Sequence, residues 1–547
     1  MKTKSILAFL FFIYLSGNLF SQSWLWAKSG YGSGGDEGNS VCADAGGNVF
    51  ITGQFQSPTI TFGSTILTNS GMNDVFIAKY DSSGNVLWAK SVGGIGDDKA
   101  YSVSTDAIGN VFVIGYFASP TITFGSTTLN NSGITKIFIV KYDVNGNVLW
   151  AKSAGGTNWD RGYSTFVDAG GNVFVTGMFT SSHISFDSIT LSNAGSYDIF
   201  IAKYDANGNA LWATSAGGGG EDVGYSVSAD AAGNVFVTGY FESPTISFGS
   251  TVLINTGTYN VFIAKYDVNG NLLWAKRAGG TGDDRGYSVS ADTGGNVFVT
   301  GYFQSSSITF GSTTLINTGI TKHVFIAKYD ASGNGLWAKS AGGTNDNQGY
   351  SVSADAEGNV FVTGGFYLSV TFGSITLTPL ASSTDPMFIV RYDPNGDVLC
   401  ASALASGGDD NNGVSAGKSG VAYIGGDFQA NPLIVGTDTL PYIGQGNNIF
   451  LAKYKCNNNV AVHELSNEES ISVYPNPANG RFSVSTQTLK QVQGDIVIYN
   501  VLGEKIFQST IFNSQSTVDI SSQPNGVYFL QLKTEEGLLV KKITLNK

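Results

Sequence analysis

The sequence predicts an all-β protein: a seven-bladed β-propeller followed by a small Ig-like β-sandwich. Three observations predict it. A marker tryptophan recurs at Trp26, Trp88, Trp150, Trp212, Trp274 and Trp337, with Cys400 once in its place, at a spacing of 62 residues four times and 63 twice. Each period holds four short apolar runs bounded by Asn-, Asp- and Gly-rich turns. The strand count is also offset, because the array opens with a fourth-strand signal at 23–28 and closes without one after 449–454.

Composition agrees. Gly is 72 of 547 residues, Pro only 11, and charged residues 13%. Gly and Asn supply the backbone angles of tight turns, and aromatic and β-branched residues suit a pleated sheet. Apolar residues reach 42%, which excludes a disordered chain. The net charge of −12 excludes nucleic-acid binding, which needs a basic face.

The unit around Trp212 shows the four strands in order: YSVSADA at 225–231, NVFVTGYF at 234–241, NVFIAKYD at 260–267 and NLLWAKR at 271–277. Ala-Ala-Gly joins the first two and Val-Asn-Gly the last two, as hairpin turns. The second and third strands are apolar at consecutive positions. A sheet buried on both faces needs no alternation, and a blade lies between two others. Seven first, third and fourth strands occur. The N-terminal strand can therefore complete the last blade, latching the ends of the array over 22–456 and hiding sheet edges.

The pieces DAxGNVFVTGYF, as at 230–241, and FIAKYDxNGNxLWAK, as at 262–276, resemble the bacterial SBBP β-propeller repeat family. The resemblance covers about residues 23–456 and implies the propeller fold; it says little of function.

The chain opens with Lys2 and Lys4, an apolar run at 6–15 and a small residue at Ser21. This reads as a secretory signal peptide over 1–21. No cysteine follows to anchor a lipoprotein, and no later segment is apolar enough to cross a membrane. Residues 457–469 have linker composition, and 470–547 carry a different set of strand signals. There YPNPANG, VLGEKI, NGVYFLQL and the ending KKITLNK resemble the type A C-terminal sorting domain of the Bacteroidetes type IX secretion system. The matching positions are Pro475, Asn476, Pro477, Gly480, Gly503, Gly526 and Tyr528. The resemblance implies the type IX machinery as partner, passage through the outer membrane, and removal of this domain with surface attachment or release of the remainder.

Catalytic signals are absent from the sequence. His183, His323 and His463 have no metal-ligand spacing, and no nucleophile elbow or phosphate loop occurs. Cys42, Cys400 and Cys456 read as buried thiols at repeat positions; a Cys400–Cys456 bridge has no support in the sequence. The fourth-to-first connections carry acids: Asp36-Glu37, Asp97-Asp98, Asp160, Glu221-Asp222, Asp283-Asp284, Asp346 and Asp409-Asp410. Asp97, Asp98, Asp283 and Asp284 could start a calcium site, which takes roughly six to eight oxygens. The competing reading, a solvated loop whose Asp caps turn N–H groups, is preferred, and no cofactor is expected. The Asp-x-Asn-Gly-Asn stretches read as hairpin turns. Lys265 and Lys276 are read as a structural ladder with acids. The marker Trp is expected buried between blades, at a cost of about 3–5 kcal/mol on truncation.

Between second and third strands each unit carries a Thr/Ser-rich insert, such as 242–259. Inserts and acidic loops are expected on one ring face, forming a repeated binding surface that gains by avidity. The function expected is a monomeric, exported, non-catalytic binding protein for glycan or protein ligands. A polysaccharide-acting enzyme and a purely structural surface component are the alternatives; Trp159-Asp160-Arg161 with His183 is one of the few departures from symmetry.

Overall fold

The structure is a computed structural model that describes residues 22–379, 386–404, 413–456, 472–485, 494–500, 504–511, 515–534 and 537–547. The signal peptide, the linker, Asp409, Asp410, His463 and Gly503 lie outside the described residues. The described residues form strands and turns with no helix, so none holds a helix long and apolar enough to cross a membrane. The chain divides into two compact units, 1–458 and 459–547.

The first unit is β-propeller-like. Six antiparallel four-stranded sheets follow one another, each in the order first-second-third-fourth strand. Sheet 4 is typical: Asp222–Ala229, Val235–Phe241, Asn260–Tyr266 and Leu272–Ala278. Its second and third strands are buried at every position, which explains their unbroken apolar runs. In the first turn Asp230 Oδ1 accepts from the Ala232 and Asn234 amides. In the second turn Asp267 Oδ1 accepts from Asn269 and Asn271. Gly270 sits there at φ +83°, and a Cβ on it would fall 2.7 Å from the Trp212 ring. Only glycine meets both demands.

A seventh sheet contains Gly413–Ala416, Val421–Phe428 and Asn448–Cys456, with Gln22–Tyr31 as its fourth strand and the hairpin Thr59–Phe62 with Thr65–Thr68 continuing beyond it. Lys28 pairs with Leu451 and Gly30 with Ile449. Tyr423, Ile449 and Leu451 of this sheet share a core with Val41, Ile51 and Phe76 of sheet 1. A belt of hydrogen bonds joins the first strands of successive sheets. Ser40 Oγ accepts from the Val103 amide, Ser102 from Thr165, Ser164 from Val227, Ser226 from Val289, Ser288 from Val352 and Ser351 from Val414, at 3.1–3.2 Å. Ser415 Oγ accepts from the Ala43 amide at 3.1 Å, between sheet 7 and sheet 1.

Three expectations are corrected. The marker tryptophans are not buried between sheets. They are half-buried on outer strands, each laid over the turn glycine of the next sheet, with Nε1 donating to a turn carbonyl. Trp88 reaches Val144 O at 3.3 Å and Trp150 reaches Ala206 O at 3.1 Å. An indole on an outer strand finds a neighbouring turn, since no further strand covers it.

The inserts do not stand on a ring face. Each is a short hairpin, such as Thr245–Phe248 with Thr251–Ile254, that fills the gap where one outer strand ends and the next begins. Gly30 and Tyr31 pair with Phe62 and Thr61 of the following hairpin, and its tip glycine, Gly63, lies against Val86. The alternating pattern turns Ile246, Phe248 and Leu253 inward and leaves the hydroxyls outside. The hairpins clad the rim.

Cys400 and Cys456 form a disulfide, while Cys42 is free. The spacing of 56 residues concealed a contact between an outer strand and the end of the neighbouring sheet.

The second unit has a three-stranded sheet containing Ser472–Tyr474, Arg481–Ser485 and Gln515–Asp519. It also has a four-stranded sheet built from Gly494–Asn500, Lys505–Ile511, Gly526–Thr534 and Gly537–Leu545. Phe482, Val484 and Val518 of one sheet meet Ile496, Leu530 and Ile543 of the other in one core, the packing of a sandwich.

Candidate functional site

The first strands of the seven sheets enclose a cavity of about 430 Å³. Its wall repeats a Tyr-Ser pair: Tyr101-Ser102, Tyr163-Ser164, Tyr225-Ser226, Tyr287-Ser288 and Tyr350-Ser351, with Asn39-Ser40 in sheet 1. The strand skips register at the tyrosine, for example between Gly224 and Ser226, and this bulge re-aims the ring toward the cavity. The serines form the belt described above. The tyrosine rings run on from sheet to sheet: Tyr101–Tyr163 5.1 Å, Tyr163–Tyr225 5.3 Å, Tyr225–Tyr287 5.3 Å and Tyr287–Tyr350 6.1 Å between centroids. Burial raises the pKa of Tyr101, Tyr163 and Tyr225 above the ordinary phenol range. They are neutral aromatic surfaces with hydroxyl donors at working pH.

The units are nearly copies, yet two residues before the tyrosine they diverge: Glu37, Lys99, Arg161, Val223, Arg285 and Gln348. The residue before the third strand diverges as well, with Asn73, Thr135, Tyr197, Tyr259 and Lys322. These positions meet beside the cavity. Met178, Val223 and Tyr240 form an apolar cluster with Tyr163, Tyr197, Tyr225 and Tyr259 around it. The Arg161 guanidinium lies 4.9 Å from the Tyr116 ring, and that of Arg285 lies 4.5 Å from Tyr240 and 4.2 Å from Tyr259. The surface beside the tyrosine wall, the mouth of the cavity, is thus aromatic, cation-bearing and asymmetric. A signal for it was present in the sequence: a position that varies while its neighbours are copied.

The described acids of these loops serve the structure. Asp98 Oδ1 accepts from the Ala118 and Ser119 amides, and Oδ2 from the Gly94 amide and Ser119 Oγ. Asp284 does the same with Gln304, Ser305 and Gly280. Four donors occupy the lone pairs a cation would need. Asp97 takes the Tyr116 hydroxyl and the Asn73 amide, and Asp283 takes Arg285 and Tyr302. The members of each pair thus serve different partners, and no group of three or more metal-ligating side chains occurs among the described residues. The expected solvated loop is corrected too: Asp36, Asp98, Asp160, Asp222 and Asp284 are fully buried, latching the loop to the serine that follows the second strand. In Asp36-Glu37 the first acid is the latch, whereas in Asp97-Asp98 it is the second. Burial pushes the Asp36 carboxyl up to about 6, against its serine and amide donors.

Of the lysines, Lys265 lies 3.4 Å from Asp230 and 4.8 Å from the Phe236 ring; no acid partner is found for Lys276 among the described residues. His183 is exposed on a rim hairpin, and His323 lies edge-on to Phe303.

In the second unit the YPNPANG stretch fastens the last strand. Asn476 Nδ2 donates to Lys542 O at 2.9 Å, and its Oδ1 accepts from the Thr544 amide at 2.8 Å. Gly480 sits at φ +113°, with its carbonyl accepting from the Ile520 amide. Tyr528 donates to Pro524 O at 2.7 Å. Residues 472–546 match the family described as the secretion system C-terminal sorting domain. The chain is a type IX secreted protein, at the cell surface or released. This secreted protein is 28% identical over 337 residues to an uncharacterized WD repeat-containing protein of Acanthamoeba polyphaga mimivirus, covering 50% of this chain and 24% of that one. It is 25% identical over 221 residues to the regulatory protein FlaEY of Caulobacter vibrioides, covering 37% and 23%. It therefore spans about a quarter of the length of the curated relatives it matches. Among solved structures, a protein of unknown function from Dyadobacter fermentans aligns at TM-score 0.37 and 10% identity, over 80% of this chain and 99% of that one. PorZ, a surface component of the type IX secretion system of Porphyromonas gingivalis, aligns at 0.17 and 11%, over 93% and 81%.

Proposed function

We propose that the secreted protein is a closed seven-bladed propeller of the SBBP type that works as a non-catalytic binding module for glycan or protein ligands, with the cavity mouth as its binding surface. The observation that carries this reading is the contrast between copied and diverging positions. Belt serines, latch acids and turn residues repeat because they hold the ring. Residues 37, 99, 161, 223, 285 and 348 carry Glu, Lys, Arg, Val, Arg and Gln beside a half-buried tyrosine wall. Aromatic faces with nearby cations suit sugars and peptides, offering large contact area at little entropic cost. The acids that could serve hydrolysis are taken up by structural bonds, which favours binding over catalysis.

The test is a binding screen of the exported full-length protein on immobilised polysaccharides and surface proteins, repeated with Tyr225→Ala and Tyr287→Ala. Ligand retention lost in the tyrosine variants, with their melting curves kept, is the expected result. Retention that both variants preserve would move the binding surface elsewhere, and turnover of a retained polysaccharide would make the protein an enzyme.

A further inference from the structure

Arg161 differs from its counterparts in one respect. In sheet 5 the equivalent Arg285 has an acid two residues earlier, Asp283, whose Oδ1 accepts from Nε at 2.8 Å. Lys99 in sheet 2 likewise follows Asp97. In sheet 3 the same place is held by Trp159. Residues i and i+2 of an extended segment share a face, roughly 7 Å apart, and Trp159, just before the strand Asp160–Val167, keeps that register: its carbonyl accepts from the Thr180 amide at 2.9 Å and its amide donates to the Thr180 hydroxyl at 2.9 Å.

The consequence is a cation without an acid, its charge met by the Tyr116 ring and the Tyr163 hydroxyl. Among the described residues Arg161 makes no ion pair, and its Nε–H is buried without an acceptor. The nearby Asp97 is engaged by the Tyr116 hydroxyl and the Asn73 amide. A partly buried guanidinium is costly unless an anion meets it. Two residues before it the Trp159 ring is 43% exposed, and among the described residues it stacks on no other ring.

We propose that Trp159 and Arg161 form a subsite for an acidic sugar unit, its carboxylate or sulfate held by the guanidinium and its ring laid on the indole. The inference rests on the reading of the mouth as a binding surface and adds its ligand class. The net charge of −12 disfavours unspecific attraction of polyanions, so the local pair must supply the recognition.

The test is affinity electrophoresis of the full chain through gels containing polygalacturonate, dextran sulfate or dextran. Retardation by polygalacturonate or dextran sulfate and not by dextran is expected, and the two charged gels separate carboxylate from sulfate. Arg161→Gln and Trp159→Ala should each weaken retention at least tenfold, while Lys276→Gln, which removes an exposed cation from an outer strand, leaves it unchanged. A thermal melt separates function from folding: Arg161→Gln should keep or raise the midpoint, and Arg285→Gln, which strands Asp283, should lower it. Equal retardation by dextran, retention that survives Arg161→Gln, absence of retention on both charged gels, or poly-glutamate bound through Arg161 as tightly as polygalacturonate would each overturn the assignment. Binding that survives Arg161→Gln but is lost in Tyr225→Ala would sink this subsite alone and leave the mouth as the binding surface.

Discussion

Cys400 is bonded to Cys456 at the junction where a marker position has no hairpin turn to rest on. At the preceding junction Trp337 Nε1 and Lys328 Nζ both donate to the carbonyl of Pro394, in the turn of the next sheet. Sheet 7 lacks that turn, because its outer strand comes from the other end of the repeat array. There Arg391 replaces the lysine and reaches Cys456 O at 3.3 Å, with its other arm on Asp355 at 2.7 Å. Cys400 replaces the tryptophan. Two departures from the repeat thus answer one missing turn.

Reducing the disulfide should therefore loosen the seam. It spans 56 residues, for which the chain-entropy account gives about 4 kcal/mol. We expect reductant to lower the unfolding midpoint of the wild type and to leave a Cys400→Ser, Cys456→Ser double variant unmoved. Identical wild-type curves with and without reductant would refute a structural role.

Deletion of residues 23–28 should destabilise the ring more than any single substitution on the rim. It removes the partner of Asn448–Cys456 and exposes an unpaired apolar edge. Light scattering and melting curves check this: early aggregation and a lowered midpoint are expected, and an unchanged profile would mean the edge is dispensable.

A marker tryptophan is worth less than a core residue. Trp150→Ala should cost about 2 kcal/mol, because the indole is only partly buried and the Nε1 bond contributes only about 1 kcal/mol. Denaturant midpoints for Trp150→Ala and Trp150→Phe separate the ring from the bond; a loss above about 4 kcal/mol would contradict the rim placement.

These particulars show what the sequence could convey. Asp267-Val268-Asn269-Gly270-Asn271 states its turn, since the Asx cap and the positive φ are local. The double apolar runs state burial on both faces. The rim position of Trp212, the latch by Asp222 and the Cys400–Cys456 bond depend on which neighbour an outer strand meets, and no local pattern encodes that. The mouth was half legible: Tyr225-Ser226 reads as an ordinary strand, and only the variation two residues earlier marks the cavity side. Trp159-Asp160-Arg161 stood out as a departure, but its meaning needed the Asp283–Arg285 pair beside which to measure it.

A buried serine of the belt should matter beyond its size. Ser226→Ala removes the acceptor for the buried Val289 amide, and an unmet buried donor costs about 1–3 kcal/mol. Hydrogen exchange at Val289 should accelerate in the variant while exchange in the rim hairpins stays as it was. Unchanged protection at Val289 would show that the belt does not hold the sheets together.

Acidity should tighten the ring before it loosens it. Burial raises the carboxyls of Asp36 and Asp198 to about 6 and raises those of Asp98, Asp160, Asp222 and Asp284. In the unfolded chain these groups titrate near about 4. Between those values the folded state binds more protons, so their contribution is complete below about pH 4 and is lost as pH rises through about 6. The turn acids Asp81, Asp143, Asp267 and Asp330 act oppositely. Asn side-chain and amide donors lower them, and their contribution is lost as pH falls below the carboxylate range. The melting temperature should therefore pass through a maximum at about pH 4–6. Asp36→Asn, which copies the natural Asn347 of sheet 6, should flatten the limb between about pH 5 and 7. A midpoint that climbs steadily from pH 5 to 8, or an Asp36→Asn profile parallel to the wild type, would show that the latch carboxylates carry their charge at no cost.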